Sequence, residues 1–349
     1  MLHTLELEDI TLENGKTLER PVIAYHTFGT LNDRKDNVIW VCHALTANSD
    51  VSDWWGTIFG EGEFLDPSNY FIICANVLGS CYGSEGPLSA KKEKEALFGD
   101  FPEVTIKDMA KAHELLRNKL GIKQLFLLIG ASLGGQQALE WNVSVPDLSK
   151  YAVFIATNAK HSPFGIAWNT AQRLALETDS TFGERHEDAG YNGLIAARSI
   201  AMISYRSYEG YRLTQSEETN EKISEFKAES YQRYQGEKLA KRFNAYSYYL
   251  LSKAMDSHNL GRGRSSIANA LSKIESKTLV ISISSDQLFP VHEQLELAKH
   301  IKNSYHVTID SDFGHDGFLV ERKKLSDCLF GLLKQQLKPL NQTVFKLKK

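Results

Sequence analysis

Ser132 stands among glycines in Gly130-Ala131-Ser132-Leu133-Gly134. The apolar run "LFLLIG" precedes it and the helix-like "GGQQALEWNV" follows. A serine hydroxyl is a weak nucleophile unless the backbone exposes it and a base takes its proton. A G-x-S-x-G turn from a buried strand into a helix meets the first condition. The sharp turn presents the hydroxyl, and close strand–helix packing leaves room only for glycines. The motif alone is weak, and its strand-then-helix context gives it weight. A second candidate, Gly79-Ser80-Cys81-Tyr82-Gly83, also follows an apolar run, "YFIICANV". It leads into "SEGP", with Pro87, and no helix begins. Cys81 therefore lacks the helix N-terminus that would lower a thiol pKa, and reads as part of a glycine-rich loop near the site.

A serine nucleophile needs a base, and the base needs a carboxylate to orient it. On this strand–turn–helix frame they follow in the order serine, acid, histidine. Asp286 directly follows the apolar run in "TLVISISSDQLFP", and His315 follows the last apolar run in "YHVTIDSDFGHDGF". His43, His161, His258 and His292 compete for the base, but only His315 comes after the last strand. Asp310 and Asp312 compete for the acid but lie beyond that strand. An oxyanion hole would draw one N–H from Leu133, after the nucleophile, and one from near Leu45 in "HALTANSD", after an earlier strand. This constellation does acyl transfer, and by itself does not choose between a hydrolase and a transferase.

The elements that must position these residues are legible as apolar runs. "NVIWVCHA", "YFIICANV", "QLFLLIG", "YAVFIAT", "TLVISIS" and "YHVTID" read as strands buried on both faces of a parallel sheet. "TIKDMAKAHELLRNKLG" has helical spacing with Gly121 at its C-terminal cap, and "KKLSDCLFGLLKQQL" is a closing helix. The opening segment, with Asn14-Gly15, reads as two or three antiparallel strands. The pattern predicts an α/β fold: a mostly parallel central sheet with helices on both faces. Residues 162–270 break the rhythm with successive helical patterns and hold nine of the fourteen tyrosines. The expected division is a core of 1–161 and 271–349 with a helical lid insertion over 162–270. The C-terminal "LKPLNQTVFKLKK" reads as a solvated tail.

Composition narrows the function classes. The formal net charge of −3, with no basic block, argues against a nucleic-acid surface. No signal-peptide pattern and no membrane-length apolar run is visible. The four cysteines form no C-x-x-C pair, and two lie in strand-like runs, so buried reduced thiols and a cytoplasmic location are expected.

Nearly the whole chain resembles the homoserine O-acetyltransferase family of α/β-hydrolase-fold enzymes. The matching stretches are "HALT", "NVLGSCYGSEGP", "FPEVTIKDMAKAH", "GASLGGQQALEW", "AWNTAQRLAL", "GLIAARSIAMISYRS", "ESYQRYQGEKLAKRFNAYSYYLLSKAMDSH", "SSDQLFP" and "GHDGF". The resemblance implies that Ser132, Asp286 and His315 are catalytic, the residues already chosen by context. It further implies that Arg198 and Tyr205 bind the acceptor's carboxylate and that Asp316 lies near its amine. Read alone, Arg198 is equally a structural ion-pair partner and Asp316 a solvated loop acid. The family elbow usually reads G-G-S-M-G-G, where this chain has Ala131 and Leu133; Glu85 stands where the family usually has threonine.

The resemblance implies a ping-pong transfer of acetyl from acetyl-CoA to the hydroxyl of L-homoserine through acyl-Ser132. Acetyl-CoA is then a co-substrate, with no separate cofactor and no metal. A homodimer is expected, the tyrosine-rich insertion favouring it, and neither nucleic acid nor membrane is an expected partner. No arginine or lysine flanks the elbow or the "HALT" loop in sequence, and Glu85 adds an acid to a neighbouring loop. That favours acetyl over a succinyl group, whose second carboxylate would need a cation. The alternatives are a succinyl- or other acyltransferase on homoserine or serine, a serine esterase of the same fold, and a non-catalytic binding protein with a broken triad.

Overall fold

The computed structural model describes residues 1–56, 58–89 and 95–334. Its strands are β1 (Leu2–Glu6), β2 (Ile10–Thr11), β3 (Thr17–Leu18), β4 (Val22–Phe28), β5 (Val38–Cys42), β6 (Phe71–Ala75), β7 (Leu125–Ala131), β8 (Ser149–Ile155), β9 (Lys277–Ile283) and β10 (Ser304–Ile309). Eight of them form one sheet in the order β1-β4-β6-β5-β7-β8-β9-β10. From β6 to β10 neighbouring strands are parallel; β1 and β4 add an antiparallel edge. Each apolar run named above is one of the parallel strands. The opening segment departs from expectation. It holds four strands, and β2 and β3 pair as a separate hairpin around Gly15, whose φ is 84°.

The inner parallel strands are largely apolar because both faces are covered; β10, at the sheet edge, is more polar and only partly buried. In β5 the side chains alternate: Val38, Trp40 and Cys42 enter one core, Ile39 and Val41 the other. Trp40 meets Trp141 edge-on at 5.0 Å between ring centroids. The helices are α1 (Val51–Trp54), α2 (Ile106–Lys119), α3 (Leu133–Ser144), α4 (Pro163–Glu177), α5 (Tyr191–Tyr205), α6 (Tyr208–Gln215), α7 (Lys227–Ala240), α8 (Ala245–Asp256), α9 (Ile267–Leu271), α10 (Val291–His300), α11 (Gly317–Val320) and α12 (Arg322–Leu333). α2 opens with a capping box: Thr105 Oγ1 accepts from Asp108 N, and the Asp108 carboxylate accepts from Thr105 N at 2.9 Å. The same carboxylate accepts from Glu13 N at 2.8 Å, which fastens the hairpin to α2. Gly121, at φ 67°, follows the end of α2 as the sequence predicts.

Between β8 and β9 the described chain has no strand and runs through α4 to α9. Several tyrosines of this stretch hold it together from inside. Tyr248 is fully buried and donates to Gln172 Oε1 at 2.7 Å; Tyr211 donates to Gln232 Oε1 at 2.9 Å. The last helix, α9, lies against α10, Ile267 and Leu271 sharing a cavity wall with Leu297. The expected solvated tail lies outside the described residues.

The glycines around Ser132 answer to close packing. A Cβ on Gly130 would overlap the Gly134 carbonyl, one on Gly134 the Cys42 carbonyl, and one on Gly135 would come within 2.6 Å of the Thr157 side chain. Two of these three obstacles are backbone, which has least room to yield. Gly134→Ala is therefore expected to destabilise the fold by about 1–3 kcal/mol or more. The check is a urea titration, which should show a lower midpoint at an unchanged slope.

Candidate active site

Ser132 joins β7 to α3 with φ 56° and ψ −125°, a left-handed backbone that a serine rarely adopts. Its N–H donates to the Ile155 carbonyl at 3.0 Å, and its carbonyl accepts from Gln136 N at 3.1 Å and from the Thr157 hydroxyl at 2.9 Å. The hydroxyl thus projects from the N-terminal end of a twelve-residue helix, where the helix dipole favours developing negative charge. His315 Nε2 is 2.9 Å from Ser132 Oγ, and His315 Nδ1 is 2.7 Å from Asp286 Oδ2. The other Asp286 oxygen accepts from Leu288 N and Phe289 N, both at 2.9 Å. The network assigns the neutral imidazole a proton on Nδ1, donated to Asp286, and leaves Nε2 to accept from the serine. The three residues that sequence order selected are therefore one hydrogen-bonded triad.

Burial by itself would lower the His315 pKa, but the charge and hydrogen bond of Asp286 outweigh it and raise it above the ordinary 6.5. Phe289, Phe318 and Tyr205 surround the imidazole at centroid distances of 5.1, 5.3 and 5.9 Å. The competing histidines serve elsewhere. Burial lowers His43 and His161 to about 4 and His258 to about 3, so all three are neutral near pH 7. His292 is exposed on α10. Asp310 takes a hydrogen bond from Ser284 at 3.1 Å, Asp312 is exposed, and neither touches His315. Burial pushes the Cys81 thiol up to about 11, and among the described residues 82–89 no helix follows it.

Among the described residues neither the Leu45 N–H nor the Leu133 N–H has a protein acceptor. The loop carrying Leu45 is firmly held. His43 Nδ1 donates to the Ala44 carbonyl at 2.9 Å, and its Nε2 accepts from Val77 N at 3.2 Å. Gln137 on α3 donates to the His43 carbonyl at 3.1 Å, tying this loop to the nucleophile helix. Two features of the surroundings differ from the sequence reading. Arg242, 196 residues from Thr46, donates to its carbonyl at 2.6 Å and to the Tyr82 hydroxyl at 2.5 Å. A cation therefore does reach the "HALT" loop, brought by tertiary folding. Glu85, read as an acid on a loop neighbouring the elbow, turns its carboxylate toward Val22 N at 3.4 Å, at the start of β4. That strand is three positions from β7, roughly 14 Å at ordinary strand spacing.

Arg198, Tyr205 and Asp316 converge beside the triad. The Arg198 guanidinium lies 5.1 Å from the Tyr205 ring, the ring that also faces His315. Arg198 Nε is buried without a hydrogen-bond partner among the described residues. Asp316 is not a solvated loop acid. Burial raises its pKa, opposed by Arg206 and then Arg198, and Arg206 Nε lies 3.0 Å from its Oδ2. That Nε–H is not aligned for a hydrogen bond, so the contact is an ion pair only. Arg206 is a site residue that the sequence did not single out; nothing in "SYRS" distinguishes it from a surface arginine. The corner between α5 and α6 sits on the His315 loop. A Cβ on Gly314, at φ 66°, would come within 2.7 Å of the Arg206 and Ser207 backbone, and Ser207 Oγ donates to the Asp312 carbonyl.

The triad acts as a base only when His315 is neutral. Activity should therefore rise with pH through a pKa above 6.5, the direction of its shift. A pH profile of kcat/KM checks this. Asp286→Asn removes the charge that raises the pKa, so its acid limb should move to lower pH while the rate falls by about 10⁴, as in other triads.

The alpha/beta hydrolase fold model matches residues 37–322. The homoserine O-acetyltransferase of Cyclobacterium marinum is 47% identical over 91% of this chain and 91% of its own. That of Chloroherpeton thalassium is 43% identical over 93% and 87%. Among solved structures, a homoserine O-acetyltransferase from Bacillus anthracis superposes with a TM-score of 0.84 at 25% identity, covering 94% of this chain and 97% of that one. An acetylester hydrolase from Corynebacterium glutamicum superposes with a TM-score of 0.85 at 26% identity, covering 96% of each. A serine triad on a parallel sheet, matched along nearly its whole length, makes this chain a member of the homoserine O-acetyltransferase family of the α/β-hydrolase fold.

Proposed function

We propose that this chain transfers acetyl from acetyl-CoA to the hydroxyl of L-homoserine, a step of methionine biosynthesis, through an acyl-Ser132 intermediate. The family relatives support the substrate pair. The observation that carries the transferase reading is Arg198 stacked on Tyr205 against His315, with an unpartnered buried Nε. A planar guanidinium suits a carboxylate. An enzyme whose only acceptor is water has no need of it.

In the first half-reaction Ser132 Oγ attacks the thioester carbonyl and its proton passes to His315 Nε2. The Leu45 and Leu133 N–H groups stabilise the tetrahedral oxyanion. The C–S bond breaks, and CoA leaves with the proton from His315. In the second, homoserine binds with its carboxylate on Arg198, beside Tyr205, and its ammonium toward Asp316. His315 takes the hydroxyl proton, the alkoxide attacks the acetyl carbonyl, and Ser132 recovers the proton as O-acetylhomoserine leaves. Holding the acceptor in place is worth several kcal/mol against water, about 7–11 in the best cases. Residues 162–270 act as the lid that contributes Arg198, Tyr205 and Arg206. Acetyl-CoA is a co-substrate, and the chemistry calls on no separate cofactor and no metal.

The reading includes a cytoplasmic homodimer. Among the described residues no helix is long and apolar enough to cross a membrane. Ile203, Tyr208, Leu213, Ile223, Phe226 and Tyr234 are exposed on the stretch from α5 to α7, which supports self-association there. A second reading, a serine esterase, is favoured by the likeness to the acetylester hydrolase.

Arg198→Ala separates the two readings. It should slow transfer to homoserine ten- to a hundredfold or more, since a lost charged hydrogen bond costs roughly 1.5–3 kcal/mol. CoA release in the first turnover should stay near wild type, and equal damage to both halves would make Arg198 structural or a residue that holds CoA. Steady-state kcat/KM should also favour acetyl-CoA with L-homoserine over acetyl-CoA with L-serine and over succinyl-CoA with L-homoserine. Serine is one methylene shorter, and a misplacement of about 1 Å can cost around 10² in rate. A higher value for succinyl-CoA would overturn the acyl group and leave the triad intact, with Arg242 the first residue to examine.

A further inference from the structure

Two residues after β8, Thr157 and Asn158, lie between the nucleophile helix and the helix that follows the catalytic acid. On one side, the Thr157 hydroxyl donates to the Ser132 carbonyl at 2.9 Å, and Gln136 Nε2 donates to Asn158 Oδ1 at 3.0 Å. On the other, Asn158 Nδ2 donates to Glu293 Oε2 at 2.9 Å, and Gln294 Nε2 donates to the Thr157 carbonyl at 2.6 Å. Behind them, His258 Nε2 donates to the Asn158 carbonyl at 3.1 Å. Asn158, Gln136 and Gln294 are buried. Glu293 and Gln294 lie in the first turn of α10, whose N-cap, Pro290, follows Phe289, one of the two residues whose N–H holds Asp286. Four hydrogen bonds thus join the serine turn to the acid loop without passing through His315.

We propose that Gln136, Asn158 and Glu293 form a positioning bridge for the triad, setting the spacing of Ser132 and Asp286 across which His315 must reach. His315 has to meet both partners at once, at 2.9 and 2.7 Å. Packing alone fixes β7 and β9 through the sheet, but both residues lie beyond the ends of their strands. Two described routes run from the serine turn to α10, one through Thr157 and one through Asn158, and only Asn158 spans the gap with a single side chain, using both ends of its amide. Apolar contact has no directional preference, whereas an amide bonded at each end specifies the separation of its partners. None of the three side chains touches the reacting atoms, so their effect passes entirely through the geometry of the triad. Glu293 is half-buried and, with Ile267, Leu271 and Leu297, lines an open pocket between α9 and α10.

The inference rests on Ser132, Asp286 and His315 being the reaction centre. It is tested on the full chain with p-nitrophenyl acetate, whose hydrolysis needs only the triad. Asn158→Ala and Glu293→Ala should each lower kcat ten- to a hundredfold, with KM within about twofold, a size in keeping with small misplacements of reacting groups. The double variant should be no worse than Asn158→Ala alone, because that change already removes the bond that Glu293→Ala removes. Glu293→Gln keeps an acceptor for Asn158 and should restore most of the rate. Gln136→Met keeps the volume, removes the other end of the bridge, and serves if Asn158→Ala does not fold; it should show the same loss in kcat. Variants that melt earlier but keep kcat within twofold would overturn the proposal, as would losses that multiply in the double variant. A wild type that hydrolyses the ester but does not use acetyl-CoA with homoserine would overturn the transferase reading alone.

Discussion

The backbone of Ser132 is held in a conformation that costs about 1–3 kcal/mol, and the site depends on the packing that holds it there. β5, β7 and α3 meet so closely that the Gly134 position faces the Cys42 carbonyl and the Gly130 position faces that of Gly134. With side chains excluded, α3 can start at the sheet surface and aim its N-terminus at the point where charge develops. The strained residue is tied on three sides, to Ile155, Thr157 and Gln136. Strain of this kind persists only where the surroundings over-determine it, and here a parallel sheet buried on both faces does so.

Polar groups removed from water must be paired, and the site divides along that line. The catalytic half is complete. Asp286 accepts from His315 and two backbone N–H groups, and His315 has a partner on each nitrogen. The side carrying Arg198 and Arg206 is not. Among the described residues Arg198 Nε has no hydrogen-bond partner, and Arg206 Nε has only a misaligned contact with Asp316. A buried donor left unpaired costs about 1–3 kcal/mol, which a ligand carboxylate would recover on binding. Catalytic geometry is thus built before any substrate arrives, while two guanidinium groups stay undersatisfied beside it.

The stretch between β8 and β9 belongs to this chemistry. Its α5–α6 corner packs on the backbone at Gly314, next to the catalytic histidine, and Tyr205 covers one face of the imidazole. Arg242 reaches the loop of Leu45 from the same stretch. Binding groups and catalytic groups therefore share contacts, and a shift of these helices would be felt at the triad.

Much of this was determined locally and so was legible in the sequence. A strand buried on both faces has to be largely apolar, which is why the inner parallel strands could be read as runs; the edge strand β10 is the most polar of the six. A nucleophile turn has to open a helix as well as carry glycines, which is why Ser132, followed by a helical pattern, could be distinguished from Cys81, followed by "SEGP". Chain order along an open sheet then selected Asp286 and His315. The acceptor roles proposed for Arg198, Tyr205 and Asp316 came only from the family resemblance, because an arginine within a helical pattern looks the same whether it meets a carboxylate or solvent. Only the tertiary structure decided that Arg206 meets Asp316, that Arg242 lies on the loop of Leu45, that Glu85 turns to the sheet edge, and that Asn158 stands between Gln136 and Glu293. Hydrogen bonds and ion pairs depend on where side chains end in space, and those separations of tens to nearly two hundred residues leave no periodicity to read.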